Sequence, residues 1–198
     1  VTVVLFVALS LAGGLAYDGF LAPQVFLNLL IDNAFLLVVA VGMTFVILAG
    51  GIDLSVGAVV AFTTVLHASL VQHHGWHPLG AASLALLLGT GFGATLGLVI
   101  QRYRLQPFVV TLAGMFLARG AATLISVESI GIDDAFQRAA AGMRIPLGGD
   151  TSLSVGAVTA LGVVAVATLV ARSTQFGRTV YAIGGSESSA ALMGLPVF

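Results

Sequence analysis

Asp53 is a lone carboxylate in the run "AVGMTFVILAGGIDLSVGAVVAF" (40–62), which is apolar on both sides of Gly50 and Gly51. Two kinds of chemistry are open to it. It can accept hydrogen bonds from the amides that begin a new helix, a task Ser55 could also take. Or it can accept them from a polyhydroxylated solute, or hold a gate, where a broken helix pair lines a cavity. The residue types leave both readings standing. Asn28, Asp32 and Asn33 form a second polar group, with Asn28 and Asp32 four residues apart and therefore on one helix face. Carboxylates and amides suit hydroxyl recognition at an entry surface, and they equally suit solvation at an interface. Arg119 follows the apolar run 108–118 and must snorkel, pair with an acid or face water, so both an ion pair and a substrate contact are open to it. His73, His74 and His77 are close enough to invite a metal. A short loop containing Gly75 and Pro78 fixes no ligand geometry and brings no carboxylate to orient the imidazoles, so no metal site is expected.

The elements that must position these residues are strongly apolar. The chain is 59% hydrophobic and 8% charged, with 25 glycines spread through its apolar runs, against roughly 25% charged residues in a soluble domain. Such a chain reads as an all-α, polytopic transmembrane bundle forming one domain over 1–198. Apolar runs at 34–49, 54–71, 79–100, 108–127 and 153–171 approach the ~20 residues a helix needs to cross a bilayer, and 1–16 reads as a clipped sixth span. A secretory signal peptide is the rival reading of 1–16, but it has no basic start. The chain contains no cysteine and no lysine, which removes disulfides, thiolate metal sites, Schiff-base chemistry and a Walker A lysine. Energy from ATP would have to enter through another polypeptide. The net charge of -1 and the scattered arginines offer no face for nucleic acid, and no nucleophile or metal constellation supports an intramembrane enzyme.

Basic residues collect in cytoplasmic loops. Arg102 and Arg104 follow the fourth span, and Arg172 and Arg178 follow the sixth. Both chain ends and the Gly50–Gly51 break are therefore expected inside, and 17–24, 72–78 and 128–152 outside. Arg138 and Arg144 are exceptions balanced by Asp133, Asp134 and Asp150. Within the outer segment, Asp133 or Asp134 could cap a short helix closed by Gly142, serving as a solvated surface, a lid or a docking ledge. Gly89, Gly93 and Gly97 share a helix face that another backbone can approach.

The segment "GGSESSAALMGL" (184–195) has its own physics. Gly184 and Gly185 free the chain, Ser186 can cap, Glu187 suits a helix N-terminus and Gly194 can end the helix. A helix of about two turns is unstable alone in water, so it is most useful docked, with Ala191 and Leu192 on the docking side. A plain cytoplasmic linker is the bland alternative.

The run at 40–59, with "QPFVVTLAGMFLARG" (106–120) and "TQFGRTVYAIGGSESSAALMGLPV" (174–197), resembles the inner-membrane permeases of bacterial ABC monosaccharide importers of the ribose, xylose and galactose type. "LNLLIDNAFLLVVAVGMTFVI", "SVESI" and "VYAIGG" look most like galactofuranose-type permease subunits. The resemblance implies a multi-pass subunit of the bacterial inner membrane that binds no cofactor itself. It would work with an ABC ATPase subunit that uses ATP, a second permease subunit, a periplasmic sugar-binding protein and membrane lipid. It also implies that 172–198 is the ATPase-coupling segment, with Arg178 and Tyr181 joining Gly184, Gly185, Glu187, Ala191, Leu192 and Gly194. Family members usually carry further spans, so the chain is expected to be a fragment. An ion-coupled secondary transporter using Asp53, or a non-transporting membrane fragment, are the alternative functions.

Overall fold

The computed structural model describes residues 1–149 and 151–195, and Glu187 by its backbone alone. The apolar runs fold as helices α1 (Thr2–Ala16), α3 (Ala34–Leu48), α4 (Val56–Gln72), α5 (Pro78–Tyr103), α6 (Pro107–Ile125) and α8 (Val155–Ser173). Shorter helices α2 (Pro23–Asp32), α7 (Ala135–Gly142), α9 (Gln175–Gly185) and α10 (Glu187–Leu192) lie between and after them. Proline opens α2, α5 and α6, where its missing amide costs nothing and its fixed φ is already helical. Among the described residues, α5, α6 and α8 are each long and apolar enough to cross a membrane, and α2 with α3 is so only when the two, bent by 57° at Asn33, are taken together. The apolar helices α1 and α4, with 15 and 17 residues, are shorter.

One hairpin departs from the all-helical expectation. Strands β1 (Arg144–Gly148) and β2 (Thr151–Ser154) pair antiparallel with an irregularity between Pro146 and Gly148. Gly148 and Gly149 take φ of +114° and +57°, a turn that residues with a Cβ rarely make. Asp150, expected to balance the outer arginines, lies outside the described residues, as do 196–198 of the coupling segment.

The buried set consists mainly of small residues, with Ala81 and Ala157 fully covered, while Leu124 is 89% exposed and most other leucines face outward. In water this would be inside out. In lipid it is the expected arrangement, because association there rests on close van der Waals approach instead of hydrophobic burial. Along α6, Gly114, Ala118 and Ala122 are buried at four-residue spacing, and α4 and α5 pack against that helix. The glycine face on α5 is only partly used: a Cβ on Gly89 would come within 3.3 Å of Thr63 Cγ2, but Gly93 and Gly97 have nothing within 4 Å. The close approach occurs instead at Gly114, whose Cβ position lies 2.7 Å from Leu96 Cδ1.

The packing sorts the helices into two groups. Helix α4 packs on α5 and α6, whereas α3 packs on α8 and α9. The chain crosses from one group to the other through the break after α3.

Candidate functional site

The break is built from its glycines. Helix α3 ends in a Schellman motif: Gly50 has φ +77°, its amide bonds the Ile47 carbonyl at 2.9 Å, and the Gly51 amide bonds the Val46 carbonyl at 2.9 Å. The next residues are extended, and Thr111 Oγ1 on α6 lies 3.2 Å from the Ile52 carbonyl. Asp53 then accepts two hydrogen bonds at Oδ1, from the Ser55 amide at 2.7 Å and the Ser55 hydroxyl at 2.6 Å. Ser55 occupies the N-cap of α4 but makes no capping bond there. Its hydroxyl proton goes to the carboxylate, so Asp53 fixes the turn into α4 and does not bond the first-turn amides. Oδ2 of Asp53 has no partner among the described residues, and the side chain is half-buried.

Asp53 lies at the edge of a cleft of about 830 Å³ between α3, α4 and α5. Apolar side chains such as Val39, Met43 and Leu86 form most of its walls. Its other polar members are Thr63, Thr64 and His67 from α4 and Thr90 from α5. Thr63 and Thr64 donate to carbonyls of their own helix, to Val59 at 2.9 Å and to Val60 at 2.7 Å. Their oxygen lone pairs remain available to accept from a solute hydroxyl. His67 meets Gln137 of α7 at 3.1 Å. These residues were not singled out from sequence, although 63, 64 and 67 share one face of a helix that is apolar from Val56 to Phe62, and that pattern was the available signal.

The other expected path residues lie elsewhere. Asn28, Asp32 and Asn33 are exposed, and none lines this cleft. Asn28 accepts from Gln24 at 2.9 Å, and Asn33 donates to the Leu29 carbonyl at 2.8 Å. Gln24 itself clamps the Ser152 peptide, accepting from its amide at 2.8 Å and donating to its carbonyl at 3.1 Å. Arg119 is exposed on α6, away from the cleft. The one ion pair among the described residues joins Arg138 to Asp133 at 3.2 Å. The loop histidines have separate tasks: His77 caps α5 through Leu79 and packs its ring, tilted by 51°, with its centroid 4.9 Å from that of Phe136, while His74 meets the Ser69 carbonyl at 3.1 Å.

In the expected coupling segment, Thr174 caps α9 through Gly177 and Ser186 caps α10 through Ser189. Helix α10 ends in a second Schellman motif, with Gly194 at φ +76° bonding the Ala191 carbonyl and Leu195 bonding that of Ala190. Gly184 and Gly185 do not free the chain; both are helical and close α9. Tertiary packing overrides their poor helix propensity, because Gly184 lies directly on the end of α3. A Cβ there would overlap the Leu48 carbonyl oxygen. Phe45 and Phe176, with ring centroids 5.8 Å apart, extend the same α3–α9 contact. Arg178 and Tyr181 are exposed, as are Ala191 and Leu192, while Ala190 is buried; Glu187 opens α10.

Gln24 with Ser152, and Gln72 with the Asp133 amide at 2.9 Å, join segments expected on one side. Gly184 with Leu48 joins segments expected on the other.

The family described as "Branched-chain amino acid transport system / permease component" matches residues 25–198. The chain is 46% identical over 90% of its length to the inner membrane ABC transporter permease protein YjfF of Escherichia coli. It is 40% identical over 98% to the fructose import permease protein FruG of Bifidobacterium longum, and 33% over 98% to the ribose import permease protein RbsC of Escherichia coli. It spans 54%, 59% and 60% of those three proteins respectively. No solved structure matches it significantly.

Proposed function

The chain belongs to this family of inner-membrane permeases, and from that premise we propose that it serves as the membrane subunit of an ATP-driven monosaccharide importer. The observation that carries this reading is its similarity, over 98% of its length, to permeases named for fructose and ribose import. The cleft between α3, α4 and α5 forms part of the solute path. Its volume suits a small molecule, and its chemistry suits a neutral polyol that must pass through: apolar walls, a few hydroxyls and one carboxylate bind well enough to admit a solute and weakly enough to release it.

The partners are those that membership of the permease family implies. ATP is bound by a separate ATPase subunit docked on α10 and on the exposed Arg178 and Tyr181 of α9. A second permease subunit supplies the facing wall, and a periplasmic sugar-binding protein delivers solute at the outer segment. Within the sugar class we assign galactofuranose, on the motifs "SVESI" and "VYAIGG".

Vesicles holding the complete gene product with its ATPase and binding protein test each level. ATP-dependent uptake of labelled galactofuranose, uncompeted by ribose or fructose, is expected. Preference for another sugar would retire galactofuranose and keep the class. Uptake driven by an ion gradient without nucleotide would retire the ATP-driven reading in favour of a secondary transporter using Asp53.

A further inference from the structure

We infer that Gly184 is a positioning residue through which movement of α9 and α10 reaches the cleft, by moving α3 about the Gly50–Gly51 break. The inference rests on the ATP-driven reading above and adds to it the residue at which the two parts meet.

Three observations carry it. First, Gly184 meets the Leu48 carbonyl directly, backbone against backbone, and its missing Cβ also lies 3.5 Å from the Ala49 carbonyl carbon. A contact without side chains has no rotamers to absorb motion, so a displacement of α9 is passed on to the last turn of α3. Second, α3 packs on α8 and α9 while α4 packs on α5 and α6, and the cleft is bounded by α3 on one side and by α4 and α5 on the other. Its width is therefore the separation of the two groups. Third, the connection between the groups has a pivot with fixed ends. Gly50 and Gly51 turn the chain just after Leu48, and beyond them Asp53 accepts from the Ser55 amide and hydroxyl at the start of α4, while the Ile52 carbonyl lies 3.2 Å from Thr111 Oγ1 of α6. Hinge closure uses a few terminal residues of this kind, flanked by bodies that keep their own packing.

The neighbouring glycine supplies the comparison. Gly185 has nothing within 4 Å, so a methyl group added there leaves α9 in place, whereas one added at Gly184 must lift α9 off α3. In the assembled importer, Gly184→Ala is expected to retain ATPase co-purification and basal hydrolysis equal to those of Gly185→Ala. Its ATP-dependent uptake is expected to be about tenfold lower than that of Gly185→Ala, within the usual range of coupling energies. Equal uptake in the two variants would overturn the inference, and so would loss of co-purification specific to Gly184→Ala, which would make the residue a docking contact.

A second measurement keeps Gly184 intact and does not depend on that variant folding. Because the chain has no cysteine, introduced pairs can be joined by a bifunctional maleimide. Linking Thr44→Cys on α3 to Thr168→Cys on α8, which share a pocket wall within one group, is expected to leave uptake within twofold of the unlinked pair, since coupling energies below that are not resolved. Linking Met43→Cys on α3 to Thr63→Cys on α4, across the cleft, is expected to abolish it. The reverse pattern, or equal effects, would overturn the two-group movement. Absence of ATP-dependent uptake in the unsubstituted importer would instead refute the function on which the inference rests.

Discussion

His67 Nε2 on α4 lies 3.1 Å from Gln137 Oε1 on α7, joining residues 70 apart in the chain. His67 also lines the cleft, so one side chain belongs both to the proposed solute path and to the contact with the segment 128–152. Two further contacts hold that segment at the same end of the bundle: Gln72 with the Asp133 amide, and Phe136 on the His77 ring. Asp134 caps α7 through the Gln137 amide at 2.9 Å, so Gln137 serves the helix start with its backbone and the contact to α4 with its side chain.

The docking bond has a measurable consequence. His67→Ala is expected to raise amide exchange across 135–142 by about 2- to 10-fold, the worth of one net hydrogen bond. Gln137→Ala is expected to do the same, and the double variant to add little, because both remove one interaction. Hydrogen-exchange mass spectrometry of the protein in nanodiscs reads this directly. Additive effects would show that the two side chains act separately.

Gly114 makes a packing prediction. Leu96 fills the space where its side chain would stand, so Gly114→Leu is expected to cost about 1–3 kcal/mol through forced repacking of α5 on α6. Gly93→Leu, placed where nothing lies within 4 Å, is expected to stay within about 0.5 kcal/mol of the parent. Thermal unfolding in detergent compares them. Equal losses would mean that Gly114 has no special standing.

How much of this was legible in the sequence depends on whether the determinant was local. The run 34–49 becomes α3 because lipid forces the backbone to satisfy itself within the helix. Asp134 at the start of α7, and Ser186 with Gly194 around α10, mark these helices through caps that act within a turn, while Gly142 is the last residue of α7 and takes no left-handed cap conformation. Partners distant in sequence leave no such trace. The amide of Gln24 gives no hint that it will clamp Ser152, 128 residues away, and nothing in "GGSESS" separates Gly184, which must be glycine, from Gly185, which need not. The hairpin was missed for a different reason: Gly148 and Gly149 signal a turn, but five exposed residues in β1 show no alternation to mark a strand. At the candidate site, Asp53 stood out because a charge in an apolar run is conspicuous. Thr63, Thr64 and Thr90 did not, since a threonine that bonds its own helix is unremarkable until the helices are packed.

Helix α10 makes the third prediction. Leu192 is 91% exposed, so it contributes little to the fold described here and is available to a partner. Leu192→Asp is expected to leave membrane insertion unchanged, because no buried contact is lost. It should lower ATPase co-purification by tenfold or more, since a carboxylate entering an apolar groove without a partner costs roughly 2 kcal/mol or more. Uptake should fall with it. Pull-down on the tagged ATPase, read beside uptake in vesicles, checks both, and normal recovery of the complex would move the contact away from α10.

Asp53 carries the last prediction, in which structure and function separate cleanly. Ser55 is 3% exposed, and its amide and hydroxyl both donate to Oδ1 of Asp53. Asp53→Ala leaves those donors without their acceptor and is expected to destabilise the protein by about 1–3 kcal/mol. Asp53→Asn keeps an acceptor oxygen for Ser55 while removing the charge and exchanging the other oxygen for an NH2 group, so its unfolding temperature should stay near that of the parent. The effect on uptake then reports what the second carboxylate oxygen and the charge do. A carboxylate accepts hydrogen bonds at both oxygens, and Oδ2 is the one not used by Ser55. An amide puts a donor at one of those positions, which reverses the pairing with any solute hydroxyl that donates there. If the carboxylate meets solute, Asp53→Asn should reduce uptake about tenfold, the loss expected for a hydrogen bond to a charged group, with assembly and stability unchanged. Parental uptake in Asp53→Asn, together with a destabilised Asp53→Ala, would leave Asp53 as the residue that sets the turn into α4 and nothing more.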